Sequence, residues 1–169
     1  MVMIILKFMR EKFNMNKIKF FILMITLIVI DQLTKFAVIA NEAKLPINVI
    51  NGFLSFTYCE NRGIAFGMAS GHVKFFSIFT LIILAIIVAF VFKYFHKVHG
   101  IGAVGIAMLI AGGFGNFIDR AFRLYVVDFI DVGQLFSFPI FNFADICVVM
   151  GVIILGISIL IGNRGESIE

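Results

Sequence analysis

The sequence predicts an α-helical polytopic membrane protein with four transmembrane helices and a small extracytoplasmic β-sheet, or hairpin, near the membrane surface. Three observations carry this prediction: the composition, four long apolar stretches, and a β-rich connection between the first two of them. Of the 169 residues, 62% are hydrophobic and only 14% are charged. Soluble domains are about 45–50% apolar. The excess indicates an integral membrane protein, and residues 1–169 are predicted to form a single domain.

The four apolar stretches are each long enough to cross about 30 Å of hydrocarbon at about 1.5 Å per helical residue. Their approximate bounds are 20–40, 75–92, 101–118 and 141–161. An even number of spans puts both termini on the same side of the membrane. Basic residues before the first span and in the short connector after the second favour the cytoplasm for that side. The same residues account for part of the net charge of +4, and no basic stripe indicates a nucleic-acid partner.

The chain before the first span is predicted to carry an N-terminal extension, residues 1–14. Met15 is followed by a basic stretch and would itself make a normal start for an inner-membrane protein. The first apolar stretch contains Asp31 and Lys35, and no clean small-x-small cleavage site follows it. We therefore expect a retained span and not a cleaved signal peptide.

The connection between the first two spans, residues 45–60, changes to β-branched and aromatic residues around a central Asn51-Gly52. Asn-Gly tolerates the positive φ angles of a type I′ turn, so a β-hairpin is predicted on the non-cytoplasmic side. A second β-like stretch, Tyr125–Ile130, precedes the fourth span on the same side. The two are expected to pair into one small sheet. Pro139 marks where the chain turns to re-enter the membrane.

Polar residues interrupt the apolar pattern at two short segments, Gly115–Arg120 and Phe141–Asp145, with Asp128 between them. An aspartate at the centre of a membrane helix costs about 2.5 to 3.5 kcal/mol on insertion scales. At about 100° per residue, Asn116 and Arg120 continue a stripe of glycines along one face of the third helix. A glycine stripe is typical of close helix packing. The two polar groups at its end must then face the bundle interior or a wet cleft.

Two carboxylates, Asp128 and Asp145, are the first candidates for chemistry. If the β-like stretch folds back over the start of the fourth helix, they can meet and share one proton. Such a pair supplies a base to activate water and an acid to polarise a carbonyl. The alternative for either residue is a helix cap or an ion pair with Arg120 or Arg123. Asp119 and Asp131 are weaker candidates.

Other polar groups leave further alternatives open. Asp31 and Lys35 stand at i,i+4 in the first span and are expected to pair, either as a structural ion pair or as part of a catalytic site. A relay built from Asp31, Lys35 and Arg120 would serve a small ion- or proton-coupled membrane carrier. The apolar cytoplasmic halves of the spans count against that function. A binding protein that recruits a partner helix through its glycines is a second alternative.

Metal and cofactor chemistry finds little support. The three histidines show no metalloprotease spacing, and the two cysteines, Cys59 and Cys147, are too few for a disulfide scaffold. Asp and Asn oxygens can hold Mg²⁺ or Ca²⁺, so a metal-dependent hydrolase is the nearest enzymatic alternative. We predict no metal site and no cofactor.

Five motifs occur in one order along the chain and resemble those of the lipoprotein signal peptidases (signal peptidase II). They are Asp31-Gln32-Leu33-Thr34-Lys35, Asn61-Arg62-Gly63-Ile64-Ala65-Phe66, Gly115-Asn116-Phe117-Ile118-Asp119-Arg120, Val126-Val127-Asp128-Phe129 and Phe141-Asn142-Phe143-Ala144-Asp145. Each is weak alone, but the ordered set with four spans is specific. The visible departure is Ile64, where the family often carries a small residue.

The resemblance implies a bacterial inner-membrane aspartic endopeptidase with its active site toward the outer face. It would remove signal peptides from diacylglyceryl-modified prolipoproteins, cutting before the lipid-bearing cysteine. Asp128 and Asp145 would be the catalytic dyad. Substrate-binding and supporting roles would fall to Asp31, Lys35, Asn61, Gly63, Asn116, Arg120 and Asn142. Membrane lipids and globomycin-type inhibitors are the other expected partners, and a monomer is expected.

Overall fold

The computed structural model describes residues 15–63, 73–95, 100–133 and 138–166. The predicted extension, residues 1–14, and Ile64 lie outside these ranges. In the described part, four helices are long and apolar enough to cross a membrane. They are α1 (Lys17–Ala40), α2 (Val73–Tyr94), α3 (Gly100–Phe122) and α4 (Phe143–Glu166), with a short 3₁₀ turn at Glu42–Lys44 after α1. The prediction of four spans is confirmed.

The helix ends differ from the predicted bounds for local reasons. Helix α1 begins at Lys17 because the Asn16 side chain accepts a hydrogen bond from the Lys19 amide at 2.9 Å. Helix α3 continues past residue 118 to Phe122, so its polar residues are still helical. Helix α4 begins two residues later than predicted, because Phe141 forms a β-bridge with Ile130.

Helix α3 is the centre of the bundle, and α1, α2 and α4 all pack against it. The closest approach is to α4 and depends on glycine. A methyl group at Gly105 would lie 2.8 Å from the Gly151 carbonyl oxygen, and one at Gly102 would lie 2.7 Å from Ser158 Oγ. On another side, a methyl at Gly113 would meet Leu84 of α2 at 2.7 Å. The predicted glycine stripe is therefore a packing surface.

Three antiparallel strands form a sheet in the order β1 (Ile47–Ile50), β2 (Leu54–Asn61) and β3 (Val126–Asp131). The predicted pairing of the hairpin with the second β-like stretch is confirmed. The predicted type I′ turn is wrong. Gly52 has φ 75°, but Leu124 is the one non-glycine residue of the described part with positive φ, so Asn51 is not left-handed. The turn closes instead through the Phe53 amide and the Ile50 carbonyl at 3.0 Å.

Strand β3 is joined to the start of α4 through Phe141. The Phe129 and Ile130 amides both donate to the Phe141 carbonyl, at 3.0 and 2.8 Å, and the Phe141 amide donates back to Ile130. This bridge holds β3 beside the first turn of α4. It brings together the two polar segments that the sequence separates.

Candidate active site

Asp128 lies in the middle of β3 and is only 2% exposed. Its two oxygens each accept an amide hydrogen bond, Oδ2 from Asn61 Nδ2 at 2.9 Å and Oδ1 from Asn142 Nδ2 at 2.6 Å. The antiparallel register of β2 and β3 brings Asn61 to this carboxylate, since Cys59 pairs with Asp128 and Asn61 pairs with Val126.

The surroundings of Asp128 change its acidity. Burial raises the pKa of Asp128 from the ordinary 3.8 to about 6, because the charged form loses its hydration. The hydrogen bonds from Asn61 and Asn142 favour the carboxylate and oppose this rise in pKa, while the charge on Asp145 adds to it. The result is a carboxyl group that changes its proton occupancy close to neutral pH.

Asp145 lies in the first turn of α4, where it and Asn142 cap the helix reciprocally. The Asp145 amide donates to Asn142 Oδ1 at 2.9 Å, and the Asn142 amide donates to Asp145 Oδ2 at 3.1 Å. The remaining oxygen, Oδ1, accepts from Asn116 Nδ2 at 2.8 Å. Asp145 thus does take part in a helix cap, which was the alternative to a catalytic role. Its carboxylate is also half-buried and lies beside Asp128.

Two asparagine side chains join the carboxylates into one network. Asn142 Nδ2 donates to Asp128 and also to Asn116 Oδ1 at 3.0 Å, while Asn116 donates to Asp145. Asn142 is fully buried and Asn116 is 9% exposed. Because each amide has a partner on both its oxygen and its nitrogen, neither can rotate without breaking bonds to a carboxylate.

Lys35 supports this network from the interior of the helix bundle. Its ammonium is fully buried and lies 3.0 Å from each of three acceptors, Asp31 Oδ2, Asp119 Oδ2 and Asn116 Oδ1. The predicted Asp31–Lys35 ion pair is present. Since an ammonium group has three protons, all of its donors are used. The bond from Lys35 also fixes Asn116 with its oxygen toward the lysine and its nitrogen toward Asp145.

Asp31 reaches across to α4. Its Oδ1 accepts a hydrogen bond from the Ala144 amide at 2.9 Å. This amide is one of the first of the helix, which has no partner within α4 itself. A methyl group at Gly115 would collide with the Asp31 carboxylate, so glycine is needed there for α3 and α1 to approach. Asp31 therefore ties three helices together beneath the carboxylate pair.

Arg120 and Gly63 contribute less directly than predicted. Arg120 is half-buried and donates to the Asn116 carbonyl of its own helix at 3.4 Å. It forms no ion pair within the described ranges, although its charge interacts with Asp145 and Asp128. The Gly63 amide donates to Asn61 Oδ1 at 3.0 Å, which leaves Asn61 Nδ2 facing Asp128.

Asp119, a weaker candidate in the sequence, and Gln32, which was not proposed as a site residue, both belong to the network. Asp119 is fully buried and accepts from Lys35, from the Val127 amide at 3.1 Å and from Arg123. Gln32 donates to Asp31 Oδ2 at 3.1 Å and to the Gly115 carbonyl at 3.2 Å, and accepts from Arg123 at 3.3 Å. The i,i+4 spacing of Asp119 and Arg123 was a usable signal. Nothing local indicated the contacts of Gln32.

The remaining candidates, Asp131, Cys59 and Cys147, make no described side-chain hydrogen bond to the network, although Cys59 pairs with Asp128 across the sheet. Asp131 Oδ1 accepts from the Gly133 amide at 2.7 Å and serves a local turn. Cys59 and Cys147 are free thiols, and Cys147 is a buried residue of α4. Across the four described ranges, no three His, Cys, Asp or Glu side chains are arranged to hold a metal ion.

Fold and site together define a multi-pass membrane protein with one buried and one half-buried carboxylate at one end of its helix bundle. Two solved structures share this fold. A solved structure described as a bacterial membrane enzyme at 2.3 Å superimposes with a TM-score of 0.81 and 34% identity, covering 92% of this chain and 96% of its own. A second, at 1.9 Å, gives a TM-score of 0.74 and 38% identity, covering 87% and 96%.

Sequence relatives are more specific about the family. The lipoprotein signal peptidase of Fusobacterium nucleatum is 36% identical over 87% of this chain and 89% of the relative. That of Clostridium acetobutylicum is 37% identical over 79% and 88%. A model of the signal peptidase (SPase) II family matches residues 23–161. The chain belongs to this family, whose function is the removal of signal peptides from prolipoproteins, and no comparison supports the carrier.

Proposed function

We propose that the chain is an aspartic endopeptidase that cuts diacylglyceryl-modified prolipoproteins immediately before the lipid-bearing cysteine, with Asp128 and Asp145 as the catalytic pair. The observation that carries the proposal is the amide network in which Asn142 bonds to both carboxyl groups and Asn116 bonds to Asp145. A helix cap alone requires Asp145 and Asn142, but it does not require a second carboxylate, Asp128, on a strand 14 residues before Asn142.

The reaction needs one proton shared by the pair. One carboxylate removes a proton from a water molecule as the water oxygen attacks the scissile carbonyl carbon, and the other, protonated, donates to the carbonyl oxygen. The tetrahedral intermediate then collapses, the C–N bond breaks, and a proton passes to the leaving nitrogen of the cysteine. Burial raises the pKa of Asp128 to about 6, so this carboxyl keeps its proton to a higher pH than an ordinary aspartate does, which supports a role for Asp128 in holding the shared proton.

The supporting residues act by holding the carboxyl groups in register. Lys35 with Asp31 fixes Asn116, and Asn61 fixes Asp128 from the sheet side. The substrate approaches from the side of Asp145, because Asp128 is only 2% exposed. Arg120 serves as a positive charge beside the pair. The activity is proposed to belong to the monomer, since Asp128 and Asp145 both lie in the same chain.

The proposed orientation places both termini in the cytoplasm and the carboxylate pair at the outer face of the bacterial cell membrane. Basic residues at the start of α1 and the end of α2, which lie at the end of the bundle away from the carboxylates, support it. In this position the cut would be made at the membrane surface, next to the diacylglyceryl group.

The substrate and cut site are tested with the purified protein in lipid and two matched prolipoproteins, with and without the diacylglyceryl group. We expect cleavage of the lipid-modified precursor alone, with mass spectrometry placing the new N-terminus at the cysteine. EDTA should leave the rate unchanged. Loss of activity in EDTA that returns with Mg²⁺ or Ca²⁺ would support the metal-dependent alternative. Cleavage at other positions would contradict the proposed specificity.

A globomycin-type cyclic peptide is proposed to block the same site. Binding should compete with the lipid-modified precursor, raising the apparent KM without lowering kcat. Inhibition that leaves the apparent KM unchanged would place the inhibitor elsewhere on the protein.

A further inference from the structure

An apolar cavity of about 160 Å³ lies between α1, α2 and α3. Its walls include the rings of Phe20, Phe21, Phe92 and Phe95, together with Val88 and Ile110. Helices α1 and α2 each pack on α3 but hardly approach one another except at these rings, so a crevice separates them. No described side chain of α4 lines the cavity.

The cavity is remote from the carboxylate network. Lys17 lies at its rim, fourteen residues before Asp31 on the same helix, which corresponds to about 21 Å along the helix axis. None of the residues that hold Asp128 or Asp145 lines the cavity. A ligand there would occupy the opposite end of the bundle from the peptidase site.

The rim of the cavity is positively charged. The Lys17 ammonium is exposed, lies 5.8 Å above the centre of the Phe95 ring and forms no ion pair with any described residue. Lys93 lies in the last turn of α2 and follows Phe92 of the cavity wall in sequence. An apolar interior beneath a lysine is complementary to a molecule with an alkyl chain and an anionic head.

We propose that this cavity binds one acyl chain of an anionic glycerophospholipid, whose phosphate pairs with Lys17. An apolar cavity of about 150 Å³ stays free of water and takes up a six-carbon ring, so the space here suits a chain segment of similar size. In a bilayer the acyl chain is the apolar molecule present in excess. The charge at the rim selects the headgroup, while the rings hold the chain.

The experiment uses the absence of tryptophan from the sequence. A Phe21→Trp variant places a single fluorescent reporter in the cavity wall. An Ile153→Trp variant is its matched control on the lipid-facing side of α4, outside the cavity. The two positions lie at similar depth, because the Ala144 amide bonds to Asp31 and each reporter is nine or ten residues from that contact.

Quenching is measured in vesicles of unlabelled phosphatidylcholine that contain either brominated phosphatidylglycerol or brominated phosphatidylcholine at the same mole fraction. Since one lysine attracts an anionic lipid about fivefold near a membrane surface, Phe21→Trp should show about that preference for the anionic lipid. Ile153→Trp should show none. Adding Lys17→Gln to Phe21→Trp should remove most of the preference.

Equal quenching of Phe21→Trp by the two lipids would overturn the proposal. So would an equal preference at both reporters, or a preference that survives Lys17→Gln, because general attraction to the basic end of the protein would explain either. If Phe21→Trp does not fold, Phe92→Trp in the opposite wall gives the same comparison.

Discussion

Asn142 has two separable roles, one for its side-chain oxygen and one for its side-chain nitrogen. Its Oδ1 accepts from the Asp145 amide and caps α4, while its Nδ2 donates to Asp128 and to Asn116. An N-cap residue contributes about 0.5–2 kcal/mol to stability. The amide donor has no value for the cap. It matters only if the position and charge of Asp128 matter.

An Asn142→Ser variant separates these tasks, because serine is a good N-cap but cannot donate to both partners of the amide. We expect the unfolding midpoint to change little and kcat to fall at least about tenfold, the effect of losing roughly 1.4 kcal/mol of transition-state stabilisation. Steady-state cleavage and thermal unfolding in detergent measure the two effects. A fall in stability without a fall in kcat would assign Asn142 to the cap alone.

The acidity of Asp128 predicts how stability varies with pH. Its pKa in the folded protein, about 6, exceeds the ordinary 3.8, so between these values the folded protein binds more protons than the unfolded chain. The stability that protonated Asp128 contributes is fully present below pH 3.8, the ordinary pKa. It is lost as the pH rises through about 6, the pKa of Asp128 in the folded protein.

The comparison is between wild type and Asp128→Asn, whose side chain does not titrate. On going from about pH 7.5 to about pH 5, wild type should gain about 1 kcal/mol of unfolding free energy relative to the variant. Thermal unfolding at both pH values measures the difference. An unchanged difference would mean that Asp128 has an ordinary pKa in the folded protein.

At the scale of the elements, the contact between α3 and α4 determines where the first turn of α4 lies. Gly105 and Gly151 bring the two backbones together, and Asp145 is carried by the helix that they position. Strand β3 is held to the same turn through Phe141. The separation of the two carboxylates thus depends on glycines that are distant from them.

Gly105→Ala is the test of this packing. The added methyl would lie 2.8 Å from the Gly151 carbonyl oxygen and 2.9 Å from the Leu155 amide, and neither backbone group can move freely. We expect a loss of about 1–3 kcal/mol in unfolding free energy. Gly156→Ala on α4 is the matched control, because nothing lies within 4 Å of its added methyl. Equal stability of the two variants would show that the helices are not closely packed here.

Sequence patterns predicted these elements well where the signal was local. Hydropathy found all four helices, and the 3.6-residue period placed Asn116 and Arg120 on one face of α3. The start of α4 was predicted two residues early, since the bridge to Ile130 is a long-range contact. Asp119 was ranked low because two of its partners, Lys35 on α1 and Val127 on β3, are long-range contacts that helical periodicity does not reveal.

At the scale of the whole molecule, the buried ionisable groups lie together at one end of the bundle. Asp31, Lys35, Asp119 and Asp128 are all at most 2% exposed, and they are joined directly or through Asn116 and Asn142. A buried charge is costly unless it is paired, so collecting the charges in one network limits the number left uncompensated. The opposite end of the bundle holds the apolar cavity.

This difference between the two ends of the bundle, together with the basic residues near the cavity, predicts how the protein is oriented in the cell membrane. In a Cys59→Ser background, a cysteine at Ala43, in the exposed turn after α1, should react with a membrane-impermeant maleimide on intact cells. A cysteine at Lys93, near the end of α2, should react only after permeabilisation. The reverse pattern would invert the proposed topology and place the carboxylate pair in the cytoplasm.

The measurement that tests the catalytic pair most directly is the cleavage rate of lipid-modified precursor by Asp128→Asn and Asp145→Asn, with Asp131→Asn as control. Asp131 lies on the same strand as Asp128 but serves a local turn, so its variant should keep near-normal activity. Both pair variants should fold, bind the precursor and lose at least about 10³-fold in rate, because neither retains a shared proton. Near-normal cleavage by either pair variant would contradict the aspartic mechanism.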